Sequence, residues 1–250
     1  MKVAAIIPAR FHSTRLPGKP LADIGGKPMI RHVYEAVRNS PEVTQVIVAT
    51  DDQRICDAVA DFGGTARMTS ANHATGTDRI AEAADGVDAA IVINVQGDEP
   101  FITAAMISDV LRPLLDDPAL PMSTLMHQIG EEGFSNPNVV KVVTDRRGNA
   151  LYFSRSLIPF PRNGSGLRVF EHIGVYCYRR EFLAQFIAME QTPLERAESL
   201  EQLRALENGY RIAVVETADP QYIPLSIDTA EDLERARQLY LARQNGSSQR

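Results

Sequence analysis

Arg10, Arg15 and Lys19 stand within ten residues of one another, with the hydroxyls of Ser13 and Thr14 between them and no acid before Asp23. They follow an apolar run, residues 3–7, that reads as a buried strand. A cationic loop just past the carboxyl end of a first strand is where an open α/β sheet holds an anionic ligand. Three cations and two hydroxyls suit a polyphosphate. For any one of these side chains a solvated basic loop is the competing reading. The cluster as a whole needs a local reason, because the chain carries a net charge of -6.

Neither familiar glycine-based phosphate fingerprint is present. Gly18-Lys19 is followed by Pro20 instead of Ser or Thr, and no Gly lies five residues before Gly18. The first strand is not followed by G-x-G-x-x-G, which weighs against a dinucleotide-binding oxidoreductase. Side-chain cations must therefore do most of the phosphate binding.

Two carboxylates complete the chemistry. Asp98 closes the most apolar strand, 89–95, within Gln96-Gly97-Asp98-Glu99-Pro100. A carboxylate there, opposite a cationic loop, is what a magnesium–nucleotide site requires, since Mg²⁺ takes one or two protein carboxylates and fills its shell with phosphate oxygens and water. A plain turn residue is the alternative for Asp98. Asp228 sits at a second strand-to-helix junction and is the natural second ligand. Helix capping is its alternative, although Thr229 already holds the cap position.

The elements that must position these groups read as α/β. Strands at 3–7, 43–50, 66–68 and 89–95 alternate with helices at 28–38, 53–62 and 77–84, which implies βαβ units and a mostly parallel sheet. The second half is less regular. Strand candidates at 122–129, 139–144, 150–153 and 169–178 have little helix between them, which suggests an antiparallel or mixed section. Residues 156–166 form a loop rich in Pro and Gly. A capping box at Thr192-Pro193-Leu194-Glu195 opens a helix read through 207. A strand at 212–215 and a final helix from 229 follow, with a frayed polar tail at 245–250. With no repeat and no clean linker, one domain over 1–250 with an inserted mixed-sheet region is the simplest organisation.

Composition excludes several classes. The acidic balance argues against a general nucleic-acid or membrane-surface binder. The two cysteines, Cys56 and Cys177, lie far apart without a CxxC partner, so neither a zinc site nor a disulfide framework is indicated. No secretory leader and no run long enough to span a membrane is evident. A cytoplasmic protein is the expectation.

Pro8-Ala9-Arg10, Ser13-x-Arg15-Leu16-Pro17-Gly18-Lys19-Pro20, Gly26-Lys27-Pro28 and Val95-Gln96-Gly97-Asp98-Glu99-Pro100 stand in order with later segments. These include Gly76-Thr77-Asp78-Arg79, Asn136-Pro137-Asn138-Val139-Val140-Lys141, Tyr152-Phe153-Ser154-Arg155, His172-Ile173-Gly174-Val175-Tyr176 and Leu200-Glu201-Gln202-Leu203-Arg204. Over nearly the whole chain this resembles the 3-deoxy-manno-octulosonate (Kdo) cytidylyltransferases. The resemblance implies a three-layer, nucleotide-diphospho-sugar-transferase-like Rossmann-type α/β fold. It also implies the reaction of CTP with Kdo to give CMP-Kdo and pyrophosphate for lipopolysaccharide biosynthesis, with Mg²⁺, in a homodimer. Region 150–207 would serve sugar binding and dimer contact.

Carried onto this chain, the catalytic set is Arg10, Lys19, Asp98 and Asp228, with Asp98 and Asp228 on the metal. Pro8, Ala9, Arg10, Ser13, Arg15, Lys19 and Gly76 would hold the nucleotide, and Thr69, Ser70, His73 and Arg79 would read its cytosine and ribose. Gln96, Arg155, His172 and Glu201 fall on the family's sugar-binding side. Read without the resemblance, Arg155 is an ordinary ion-pair residue, His172 a structural strand histidine and Glu201 part of a solvated helix face. Pro224-Leu225-Ser226 departs from the glycine-bearing approach expected before Asp228, and the loop 162–168 is short. Two alternatives stay open: another acidic sugar, such as 8-amino-Kdo or a sialic-acid-like substrate, and a non-catalytic nucleotide-binding protein of the same fold.

Overall fold

The computed structural model describes all 250 residues except 14, 163–165 and 248–250. Thr14, the tip of the 156–166 loop and the end of the tail therefore lie outside the described residues. In chain order the first elements are β1 (Val3–Ala9), β2 (Asp23–Ile24), β3 (Lys27–Pro28), α1 (Met29–Arg38), β4 (Gln45–Thr50), α2 (Gln53–Asp61), β5 (Ala66–Met68) and α3 (Gly76–Ala84). Then come β6 (Ile91–Asn94), α4 (Ala104–Asp116), β7 (Met122–Ile129), β8 (Lys141–Thr144), β9 (Ala150–Ser154) and β10 (Val169–Arg179). The chain continues through α5 (Arg180–Ala188), α6 (Pro193–Glu198), α7 (Leu203–Glu207), β11 (Ile212–Glu216) and α8 (Ala230–Ser247).

Contacts divide the chain into two compact units. The first comprises 1–89, 94–107 and 220–250; the second comprises 90–93 and 108–219. In the first unit β1 and β5 flank β4, all parallel, with Ala4 opposite Gln45 and Val48 opposite Ala66. The all-apolar β1 is buried along nearly its whole length, as expected of a parallel strand covered on both faces. Helix α1 buries Met29, Ile30, Val33, Tyr34 and Val37, one stripe at helical spacing. A capping box of Thr75 and Asp78 starts α3.

The second unit holds the mixed section. β7 pairs parallel with β11 and antiparallel with β10, and β10, β8 and β9 continue antiparallel. The single helix read over 192–207 is instead two, α6 and α7. Ser199 turns into the left-handed region at φ 53, and the chain re-enters helix at Leu203. A buried pair between Glu195 and Arg204 closes this corner, so side-chain pairing across the break overrides local propensity. Helices α4 and α5 are additional to the sequence reading. Pro113 lies inside α4 and works against it, yet Met106, Ile107, Val110, Leu111 and Leu114 bury a continuous stripe that outweighs the loss. Helix α8 runs through Ser247, three residues into the segment read as a frayed tail.

Candidate active site

The cationic loop is closed by its own backbone. Gly18 N–H donates to the Phe11 carbonyl at 2.9 Å. Gly18 takes φ 71 and opens a short 3-10 turn over Lys19–Leu21, seated by buried Pro20. Only glycine adopts that φ without strain. The turn directs Lys19 inward, where its side chain is 15% exposed. Its ammonium donates to Asp98 Oδ2 at 2.6 Å and to Asp228 Oδ1 at 3.2 Å. Arg15 Nη2 reaches the same Asp228 oxygen at 3.0 Å. Burial by itself lowers the Lys19 pKa, but Asp98 and then Asp228 outweigh it, and the net shift is upward.

Backbone contacts bring the two carboxylates together. Val95 N–H donates to the Ile6 carbonyl at 3.2 Å, which lays the 95–98 segment beside β1. A Cβ on Gly97 would stand 2.9 Å from the Pro8 carbonyl oxygen, closer than side chains approach backbone, so this turn closes only with glycine. Ile227 N–H donates to the Asp98 carbonyl at 3.0 Å. Ile227 is itself held in a core cluster with Ile24, Met29, Phe101, Leu225, Leu233 and Ala236. The non-glycine approach 224–226 is thus anchored by Leu225 packing, and the Ser226 hydroxyl donates to Glu99. Thr229 and Asp232 cap α8 reciprocally, so Asp228 is not spent on the cap.

These groups line a cleft of about 420 Å³ in the first unit. Pro8, Ala9, Arg10, Ser13, Arg15, Lys19, Gly76, Gln96, Asp98 and Asp228 all contribute to its wall. His12, Pro20, Met29 and Gly97 line it as well. The sequence reading passed over His12, and its place in the same loop as the cations was the signal for it. Met29 gave no such signal, because its spacing marks it as core. Two carboxylates converging on one ammonium form a hard-oxygen donor set for a cation. Among the described residues no group of three or more His, Cys, Asp or Glu could enclose a metal alone. Such a pair suits Mg²⁺ completed by substrate oxygens and water.

Thr69, Ser70, His73 and Arg79 are not brought onto that wall. Arg79 is fully buried and donates to Thr69 Oγ1 at 2.5 Å and Asp51 Oδ2 at 2.8 Å. The Thr69 hydroxyl donates to the Thr50 carbonyl at 3.1 Å. The Ser70 amide and the His73 ring both engage Glu82, whose carboxyl is held below the usual range by His73 and then by the Ser70 amide. The link to the cleft is Arg10, whose Nη2 donates to the His73 carbonyl at 2.8 Å.

Of the sugar-side candidates, Gln96 lies in the cleft and Arg155, His172 and Glu201 belong to the second unit. Arg155 gives Nε to the Glu198 carbonyl at 2.8 Å, Nη1 to the Pro137 carbonyl at 2.9 Å and Nη2 to the Ser199 carbonyl at 3.3 Å. Among the described residues these bonds take three of its five N–H donors. His172 lies just before a register shift in β10 between Ile173 and Tyr176, and its Nε2 is 2.9 Å from the Thr124 hydroxyl. Phe153 packs edge-on against that ring at 5.1 Å. Glu201 lies 3.7 Å from Arg204. After burial itself, Glu201 is the second cause pushing the Tyr176 phenol up.

A family model described as Cytidylyltransferase matches residues 4–212. A 3-deoxy-manno-octulosonate cytidylyltransferase of Pelobacter propionicus is 54% identical over 98% of this chain and 100% of its own. The chain belongs to the 3-deoxy-manno-octulosonate cytidylyltransferase family. The member from Geobacter sulfurreducens is 54% identical over 94% of this chain and 98% of its own. The solved structure of CMP:2-keto-3-deoxy-manno-octonic acid synthetase complexed with CTP superposes with a TM-score of 0.93 at 47% identity, covering 97% of this chain and all of that one. A 4-diphosphocytidyl-2C-methyl-D-erythritol synthase from Anaerococcus prevotii shares the fold, with a TM-score of 0.63 at 16% identity over 95% of each chain.

Within this cytidylyltransferase His172 is a neutral ring: burial pushes its pKa down to about 3. The unfolded chain takes up the proton near pH 6.5 and the folded one does not, so the contribution of His172 is complete above pH 6.5 and declines as pH falls toward 3. Between pH 7 and pH 5 this single group is expected to remove about 2 kcal/mol of stability. Urea unfolding of wild type and His172→Gln at both pH values checks it. An equal loss in the two proteins would show that His172 carries no such linkage. Among the described residues no helix is long and apolar enough to cross a membrane.

Proposed function

We propose that the protein transfers the cytidylyl group of CTP to the 2-hydroxyl of Kdo, forming CMP-Kdo and releasing pyrophosphate. The observation that carries this reading is the convergence of Lys19 and Arg15 on Asp98 and Asp228 in a cleft that Arg10 also lines, in a chain of this family. Arg10, Arg15 and Lys19 bind the triphosphate and offset the charge on departing pyrophosphate. Ser13 and the backbone of Pro8, Ala9 and Gly76 shape the wall against which the nucleotide lies. Thr69, Ser70, His73 and Arg79 read the cytosine and ribose, and the His73 carbonyl holds Arg10 at the cleft.

Asp98 and Asp228 would hold Mg²⁺, which when bound would neutralise the α-phosphate and make the attacking hydroxyl more acidic. The hydroxyl attacks the α-phosphorus in line, its O–P bond forming as the bond to pyrophosphate breaks. No side chain becomes covalently attached. Gln96, Arg155, His172 and Glu201 read the sugar, with the Arg155 guanidinium toward its carboxylate and neutral His172 toward a hydroxyl. Catalysis is thus positioning and charge neutralisation.

The assay is pyrophosphate release with Mg²⁺, each nucleoside triphosphate in turn and a panel of acidic sugars. Release is expected with CTP and Kdo. Folded protein giving no release with that pair would remove the reading, and preference for 8-amino-Kdo or a sialic-acid-like sugar would redirect it. A cytoplasmic place in lipopolysaccharide synthesis and a homodimer belong to the same reading. Leu151 and Phe160, 62% and 82% exposed within 150–207, support a contact there. Sedimentation at the 27.5 kDa of one chain would exclude the dimer.

A further inference from the structure

Lys141 is a fully buried lysine in the second unit whose three ammonium protons all go to backbone carbonyls. It donates to Asn136 O at 2.7 Å, Val139 O at 2.8 Å and Arg155 O at 3.0 Å. A lysine has three donors and no acceptor, so this set uses every one of them. A buried charge without an acid in direct contact is costly, and it persists only where its hydrogen bonds are complete. Burial accordingly lowers its pKa, against the pull of Glu171.

The acceptors belong to segments that sit next to the sugar-side candidates. Asn136 and Val139 form the loop leading into β8. Arg155 follows β9, and its guanidinium returns to the same loop through the Pro137 carbonyl. That guanidinium also holds the Glu198 and Ser199 carbonyls, two residues before Glu201. The Glu198 carboxylate in turn accepts from Ser154 Oγ at 2.6 Å and from Arg155 N–H at 3.0 Å. His172 N–H donates to the Val140 carbonyl at 2.8 Å, in the residue next to Lys141. One ammonium and one guanidinium therefore stitch 136–139, 155 and 198–199 into a single frame that includes Arg155, meets His172 through the Val140 carbonyl and ends two residues before Glu201.

We infer that Lys141 is a positioning residue for the acidic sugar, fixing the backbone of Arg155 and the 136–139 loop without touching the substrate. This rests on the assignment of Arg155, His172 and Glu201 to the sugar. Because its contacts are all within the second unit, its loss should leave CTP binding by the first unit intact.

The experiment is steady-state kinetics and CTP calorimetry on Lys141→Met, Lys141→Gln and Arg155→Lys beside wild type. Met keeps the stem and removes the donors; Gln keeps two donors and no charge. Lys141→Met is expected to raise KM for Kdo between about tenfold and a hundredfold, the cost of a misplaced substrate-positioning group. KM for CTP and the CTP affinity should stay within about twofold, a separation that a merely structural loss would not produce, and Lys141→Gln should lie between Met and wild type. A KM for Kdo that moves in Arg155→Lys but not in Lys141→Met would overturn the inference. If neither variant moves it, the sugar-side assignment fails and takes the inference with it. Loss of CTP binding in both Lys141 variants would also overturn it, since the lysine would then hold the whole fold.

Discussion

Asp98→Asn is expected to lower kcat by about two to three orders of magnitude, equivalent to about 3–4 kcal/mol of transition-state stabilisation. Asn keeps the size and the turn, and the Ile227 N–H to Asp98 carbonyl bond is a backbone contact that the change does not touch. What goes is the negative charge 2.6 Å from the Lys19 ammonium and one of the two hard-oxygen groups available to a cation. Removing the Asp98 charge also removes the stronger of the two influences that raise the Lys19 pKa, leaving Asp228 alone against burial. The measurement is kcat at saturating CTP and Kdo over a range of Mg²⁺, with unfolding followed in parallel. Near-normal turnover at all Mg²⁺ concentrations would remove Asp98 from the catalytic set. A deficit that high Mg²⁺ partly restores is the result that fits a ligand role.

Arg204→Met is expected to destabilise the protein by about 3–5 kcal/mol, the usual cost of leaving one partner of a buried ion pair uncompensated. Arg204 gives Nε to Glu195 Oε2 at 2.8 Å and Nη2 to Glu195 Oε1 at 2.5 Å, and the side chains are 6% and 5% exposed. Nη1 reaches the Phe186 carbonyl at 3.3 Å, and the guanidinium lies 4.9 Å from the Phe186 ring. The pair thus ties α5, α6 and α7 together. Without the arginine, the Glu195 carboxylate keeps the Thr192 amide, 3.3 Å away at the start of its own helix. The double change Glu195→Met with Arg204→Met should recover much of the loss, because two apolar stems pack where two charges were. Denaturant unfolding of the three proteins is the test. A single-mutant loss under about 1 kcal/mol would mean the pair is solvated in solution.

The same pair shows why one long helix was expected and two short ones are found. The capping box at Thr192 and the run of helix formers after it are local signals, and they point to continuous helix. The turn at Ser199 depends on Glu195 meeting Arg204 and on Glu198 meeting Ser154 and Arg155, contacts that local spacing does not encode. Arg155 carries a similar lesson. A planar fork near a presumed acidic ligand reads as an anion clamp, yet three of its donors are committed to carbonyls of its own unit. Arg79 reads as a base reader and is a buried partner of Asp51 and Thr69. In each case the residue type was legible and its partner was not.

By itself the chain determined what depends on neighbours in sequence. The apolar run of β1, the stripe of α1, the cationic turn after β1 and the carboxylate closing β6 are set by residues a few positions apart, through side-chain period and turn chemistry. Tertiary structure alone decided which of these groups meet. Asp98 and Asp228 lie 79 and 209 positions from Lys19 along the chain and share one ammonium in space. The Ile227 to Asp98 backbone bond, the bare Cα of Gly97 against Pro8 and the burial of Ile227 bring them there. Close packing of a folded core supplies that juxtaposition, and no local preference can.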